Sequence, residues 1–124
     1  KSMRKKCERY NRIALEAAKQ CGRGRVPEVA TLVGFREAVA QMRADPLELF
    51  FYENADQPLR EVLTGRLGDR VSILIGSEGG FEPSEAAFAA ENGLVPLSLG
   101  SRILRCETAP LAAITAILYQ AGDI

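Results

Sequence analysis

Ile75-Gly76-Ser77-Glu78-Gly79-Gly80-Phe81 is the stretch on which the reading of this chain turns. A second stretch, Leu99-Gly100-Ser101-Arg102-Ile103-Leu104-Arg105-Cys106-Glu107-Thr108-Ala109, follows the same logic. Each begins where an apolar run of strand character ends, and each leads into a helical pattern. A glycine-rich turn at the carboxyl end of a strand is where an open α/β sheet builds its ligand site. Two such turns close together in sequence predict two walls of one pocket.

The elements around these turns alternate. Val71-Ser72-Ile73-Leu74-Ile75 is a nearly continuous apolar run, as expected of a strand buried on both faces. Glu82-Pro83-Ser84-Glu85 opens a helix: proline suits the first helical position, and Glu85 stands three residues after a cap at Glu82. Asn92-Gly93 closes it. Residues 95–99 form the next strand, with Pro96 confined to a strand end or a sheet edge. The last helix runs from about Thr108 to Gln120, with Leu111, Ile114, Ile117 and Leu118 as its apolar stripe. Upstream, Met3, Cys7, Tyr10, Ile13, Ala14, Ala17 and Cys21 recur at helical spacing, so residues 3–20 read as a helix ended by Gly22 and Gly24. Residues 29–33 read as a short strand, 35–42 as a helix and 47–52 as a second strand. Residues 54–68 read as a polar connection holding one helical turn near 59–63. Alternation of this kind predicts an α/β fold, a mostly parallel sheet flanked by helices.

Composition sets the outer bounds. The chain has 124 residues, 47% of them hydrophobic and 26% charged, which fits one small soluble domain. No apolar run approaches the roughly 20 residues that span a bilayer. The polar start, Lys1 to Arg12, is unlike a signal peptide, and without an initiator methionine the chain is expected to be a piece of a longer protein. There is no histidine, and Cys7, Cys21 and Cys106 form no CxxC pair, so no metal site is expected. On one helix Cys7 and Cys21 stand roughly 21 Å apart, beyond disulfide reach. Three unpaired thiols fit a reducing cytoplasm.

Net charge is zero but unevenly spread. Residues 1–25 hold nine Lys/Arg against Glu8 and Glu16, which is +7; the remainder holds seven basic and fourteen acidic residues, which is −7. Lys5, Lys6, Arg9, Arg23 and Arg25 make a basic block that suits a phosphate backbone, or a solvated helix face.

The glycine turns carry their own chemistry. Gly76, Gly79 and Gly80 let the backbone turn sharply and approach a ligand closely. Their spacing is neither G-x-G-x-x-G nor a phosphate loop with G-K-[S/T]. Glu78 stands where a phosphate loop would avoid negative charge, so a ligand with a cationic or hydroxyl-rich part fits better. In the second turn the helix start offers free N–H groups to an acceptor-rich ligand. Arg105 either holds a phosphate or carboxylate or is neutralised by Glu107. Backbone amides beside the apolar pair Ile103-Leu104 suit a flat heterocycle such as adenine.

The order Ile75-Gly76-Ser77-Glu78-Gly79-Gly80-Phe81, then Leu97-Ser98-Leu99-Gly100, then Arg102-Ile103-Leu104-Arg105 with Glu107-Thr108-Ala109, resembles the ribosomal RNA small-subunit methyltransferase E family of the SPOUT superfamily. Glu16-Ala17-Ala18, Gln20, Arg23 and Val26-Pro27 resemble an upstream segment of the same family. The resemblance covers essentially the whole chain and is most specific over 73–109. It implies a C-terminal trefoil knot, a homodimer, and methylation of uridine N3 in 16S ribosomal RNA of the small ribosomal subunit with S-adenosyl-L-methionine. Carried over by position, the cofactor-binding residues are Ile75, Gly76, Glu78, Gly79, Gly80, Leu99, Gly100, Ile103, Leu104, Arg105 and Thr108. Arg105 is expected to stabilise the uracil anion or grip a phosphate, and Glu78 or Glu107 to accept the N3 proton, unless water does.

The sequence departs from the family at Ser77, where proline is usual, and at Cys106, where threonine is usual. The family also carries an N-terminal RNA-binding barrel and a first strand and helix of the methyltransferase domain, which the resemblance puts before Lys1. Residues 1–124 are then the C-terminal part of that domain. Two rivals remain: a SPOUT enzyme for another RNA base, and a non-catalytic RNA-binding or assembly module. Cofactor binding separates the second from the enzymes.

Overall fold

The computed structural model describes residues 2–42, 45–64, 68, 70–77, 79–99, 105 and 107–124. These fall into two compact units, 1–34 and 35–124.

The first unit is helix α1, Ser2–Gln20, and the segment after it. Gly22, at φ +74°, supplies the left-handed turn that ends the helix, and the Arg23 N–H bonds back to the Ala18 carbonyl at 2.9 Å. The strand expected at 29–33 is absent: these residues have no regular structure, and Leu32 is 74% exposed. A strand is held by ladder partners, which an apolar run cannot supply by itself. Here one side chain stands in for a ladder. The Asn11 amide donates to the Val29 carbonyl at 2.9 Å, and Asn11 Oδ1 accepts the Val29 N–H at 2.7 Å. The Cys7 thiol donates to the same carbonyl at 3.0 Å. The covered face of α1 is therefore Cys7, Asn11, Ala14 and Ala18. Met3, Tyr10 and Ile13, which helical spacing puts on the same apolar face, are exposed.

The second unit is the α/β body: α2 (Phe35–Met42), β1 (Leu47–Phe51), α3 (Leu59–Val62), β2 (Val71–Ile75), α4 (Pro83–Glu91), β3 (Val95–Leu97) and α5 (Ala109–Ala121). The three strands are parallel, in the order β2-β1-β3. Phe51 pairs with Ile75 on one side and with Leu97 on the other, so the carboxyl ends of all three strands are level. β3 ends at Leu97, two residues earlier than the sequence pattern predicts. The Tyr52 N–H bonds to the Leu97 carbonyl at 2.9 Å, so Leu97 faces β1 and the missing donor of Pro96 faces the outer edge.

Side chains alternate across the sheet as strand geometry requires. Phe50 and Leu74 pack on one face with Val39 of α2, Ala86 and Ala89 of α4, and Leu94. Leu49, Ile73 and Leu97 pack on the other with Leu59 and Leu63 around α3 and with Ala116 and Ile117 of α5. Leu49, Phe50, Leu97 and Val39 are fully buried, each stabilising the fold by roughly 1.5–3 kcal/mol of apolar transfer. The helices thus cover both faces, and the connections β1–α3–β2 and β2–α4–β3 run on opposite sides of the sheet. Before the amino ends of the strands, Asp45 accepts the Ser72 hydroxyl and lies 2.9 Å from Arg70 Nε. Among the described residues no helix is long and apolar enough to cross a membrane.

Candidate functional site

β2 ends at Ile75, and the chain turns at once. The Gly80 N–H bonds to the Ser77 carbonyl at 2.8 Å, closing a four-residue turn, with Gly80 at φ +72°. Gly76 is packed against that turn: a Cβ on it would stand 3.2 Å from the Gly80 carbonyl carbon and 3.4 Å from Phe81 Cδ2. A Cβ on Gly79 would meet nothing within 4 Å, so its backbone is bare to an approaching molecule. Phe81 anchors the turn from below, its ring edge-on to Phe50 at 5.8 Å and 6.1 Å from Phe35. α4 then starts as the sequence predicts. Pro83 takes its first turn, and Glu85 Oε1 accepts the Glu82 N–H at 2.9 Å.

β3 ends at the same edge of the sheet as β2, on the far side of β1, and Ser98 and Leu99 follow it. Two strand spacings put β2 and β3 roughly 10 Å apart. The connection after β1 braces this end: the Ser98 N–H bonds to the Gln57 carbonyl at 2.9 Å, and the Leu59 N–H to the Ser98 carbonyl at 3.0 Å. Leu99 then lines a cavity of about 460 Å³ with Pro58, Leu59, Leu63, Ala112 and Ala116, and with Arg60, Tyr119 and Gln120 as its polar members. That volume falls within the range of small-molecule sites, and its lining is mostly apolar.

Of the residues expected to bind a cofactor, Ile75 ends β2, Gly76, Gly79 and Gly80 lie in the turn after it, and Leu99 lines the cavity. Glu78, Gly100, Ile103 and Leu104 lie outside the described residues. Arg105 and Glu107 are solvent-facing, their side chains 86% and 66% exposed, with Nε and Oε1 3.9 Å apart. Glu107 therefore moderates the Arg105 charge without removing it, since exposed pairs are weak. The start of α5 offers a ligand less than its sequence implies. The Thr108 and Ala109 N–H groups both bond to the Arg105 carbonyl, at 3.0 and 2.9 Å, and Pro110 has none. Lys5, Lys6, Arg9, Arg23 and Arg25, in the other unit, are all exposed. Arg23 Nε donates to the Arg25 carbonyl at 2.8 Å, and the Arg9 guanidinium lies 5.8 Å from the Tyr10 ring centre.

Sequence patterning does not single out the carboxyl end of β1. Tyr52, Glu53 and Asn54 leave the sheet between the ends of β2 and β3, and Glu53 Oε1 lies 3.8 Å from where a Cβ on Gly80 would stand. The signal is faint, because Tyr52-Glu53-Asn54 looks like any polar strand end until the strand order puts β1 in the middle.

Comparison with known proteins shows the family. An RNA methyltransferase domain model matches residues 1–118. The chain is 36% identical to ribosomal RNA small subunit methyltransferase E of Bacillus subtilis, over 97% of this chain and 49% of that protein. It is 33% identical to the protein of the same name from Buchnera aphidicola subsp. Schizaphis graminum, over 97% and 48%. The crystal structure of ribosomal RNA small subunit methyltransferase E from Neisseria gonorrhoeae bound to S-adenosyl methionine superposes with a TM-score of 0.87 at 34% identity, covering 96% of this chain and 49% of that one. The chain spans about half the length of the curated relatives it matches. The family model spans the basic helix, the parallel sheet and both glycine turns, and the chain belongs to the RNA methyltransferase domain family.

Proposed function

We propose that this chain is the cofactor-binding part of an enzyme that methylates N3 of a specific uridine in 16S ribosomal RNA, using S-adenosyl-L-methionine. The observation that carries the reading is the family match over residues 1–118, on a sheet whose strands β2 and β3 end at one edge on either side of β1. The residues present suit that cofactor. Gly79 leaves bare backbone for a ligand to approach, and the apolar cavity beside Leu99 suits a heterocyclic ring. Ile75, Gly76, Glu78, Gly79 and Gly80 would line one side, and Leu99, Gly100, Ile103, Leu104, Arg105 and Thr108 the other. When bound, S-adenosyl-L-methionine supplies an electrophilic methyl group on a sulfonium.

The protein's own tasks are to align uracil N3 and to take its proton. Arg105, exposed and only loosely paired, is the side chain assigned to stabilise the developing uracil anion or to grip a phosphate. Glu78 and Glu107 are the side chains assigned to the proton, with water as the alternative. RNA approaches over Lys5, Lys6, Arg9, Arg23 and Arg25, because the −7 remainder repels a polyanion. The enzyme is a cytoplasmic homodimer with a C-terminal trefoil knot, and it carries an RNA-binding barrel.

The test is methylation of 16S ribosomal RNA by the intact protein, read by mass spectrometry of nucleosides after digestion. 3-Methyluridine is the expected product. A methyl group on another base moves the enzyme to a different substrate. No methyl transfer and no binding of S-adenosyl-L-methionine leaves an RNA-binding module.

A further inference from the structure

The strand order reverses at β1: the chain runs from β1 to β2 on one side and returns to β3 on the other. In open parallel sheets the ligand crevice lies at the carboxyl end of the strand where the order reverses. The residues at that point are Tyr52, Glu53 and Asn54. Tyr52 is committed elsewhere, its N–H on Leu97 and its ring 6.1 Å from Phe50. The Asn54 side-chain amide lies 3.4 Å from the Tyr52 hydroxyl. Glu53 is exposed and has no ion-pair partner among the described residues. Its carboxylate reaches across to the first glycine turn, with Oε1 3.8 Å from where a Cβ on Gly80 would stand. An unpaired carboxylate beside the Gly80 backbone, in a part of the chain that already carries −7, is matched by a cation.

We propose that Glu53 binds the α-ammonium group of the methionine portion of S-adenosyl-L-methionine, and so fixes which way the cofactor lies over the Gly76–Gly80 turn. The assignment rests on the methyltransferase reading above. Two alternatives on the same molecule fit less well. Methyl transfer consumes the sulfonium charge, so a carboxylate beside it would hold the ground state more tightly than the transition state and slow the reaction. Ribose hydroxyls are neutral and would leave the surplus negative charge unmatched. The ammonium keeps its charge throughout and lies away from the reacting atoms.

The test is calorimetric titration of the intact protein and its Glu53→Gln variant with three probes. They are S-adenosyl-L-methionine, S-adenosylhomocysteine, which lacks the sulfonium, and methylthioadenosine, which lacks the amino-acid portion. Loss of a charged hydrogen bond weakens the first two by about tenfold or more and leaves the third unchanged. Equal loss for all three, or for none, overturns the assignment. Loss for S-adenosyl-L-methionine alone moves the contact to the sulfonium and also overturns it. If the unaltered protein binds none of the three, the methyltransferase reading itself fails; if it binds and the variant is indifferent, only Glu53 is removed. Because Glu53 is exposed, the substitution leaves the core intact, which an unchanged thermal midpoint verifies.

Discussion

Gly76 and Gly79 differ in what surrounds them, and substitution should separate their roles. A side chain at Gly76 meets the Gly80 backbone at 3.2 Å, within a turn closed by the bond between Ser77 and Gly80. Gly76→Val is expected to destabilise the fold by about 1–3 kcal/mol, seen as a lower urea midpoint, because backbone yields less readily than a flexible side chain. Gly79→Ala adds a methyl to open space, so its urea midpoint should not move. Its affinity for S-adenosyl-L-methionine should fall, since the methyl would stand on the proposed path of the cofactor. Unchanged affinity in Gly79→Ala would remove that backbone from the site. The first turn is legible in the sequence because glycine is the residue that both turns sharply and leaves room. Glu53 is not, because its place over the turn depends on strand order, to which residue type gives no clue.

Among the elements, β1 is the centre of the body. Leu49 and Phe50 sit on opposite faces of it, and both are fully buried. Leu49→Ala should cost about 2–5 kcal/mol, read from chemical denaturation, because helices on that side close over a cavity only in part. The α1 unit is held differently. Asn11 bonds both backbone groups of Val29, so Asn11→Ala should release the Val29 amide to rapid hydrogen exchange while the sheet amides keep their protection. Equal protection in the variant would mean that something other than this amide orders the segment. The helix boundaries are readable to within a residue or so, since Pro83, Glu85, Gly22 and Gly93 act locally. The run at 29–33 has strand composition without being a strand, because a strand is a pairing and among the described residues this run pairs with no strand.

For the whole molecule, charge and the last helix carry the predictions. Reversing Lys5, Lys6 and Arg9 to glutamate should weaken RNA binding. It should also flatten the dependence on salt by about 0.7–0.9 in log–log slope for each phosphate that the variant no longer neutralises, with cofactor affinity unchanged. An unchanged slope would leave the block a solvated helix face. On α5 the apolar stripe divides. Ile117 packs into the core beside Ala116, which is not of the stripe, whereas Leu111 and Ile114 are 69% and 47% exposed. Sedimentation of the intact protein should give a dimer, and Leu111→Asp with Ile114→Asp a folded monomer. A dimer that survives both changes would place the interface elsewhere.

The sequence by itself determined the α/β class, the helix starts and stops, the basic segment, and the glycine turn that follows β2. All of these follow from periodicity, local backbone chemistry or charge counts, which need no distant partner. Only the tertiary structure decided that β1 lies between β2 and β3, that β2 and β3 end level at one edge, that Glu53 reaches the turn after β2, and which face of α1 is covered. Those depend on contacts between residues far apart in the chain, whose choice is made by packing and hydrogen-bond partners.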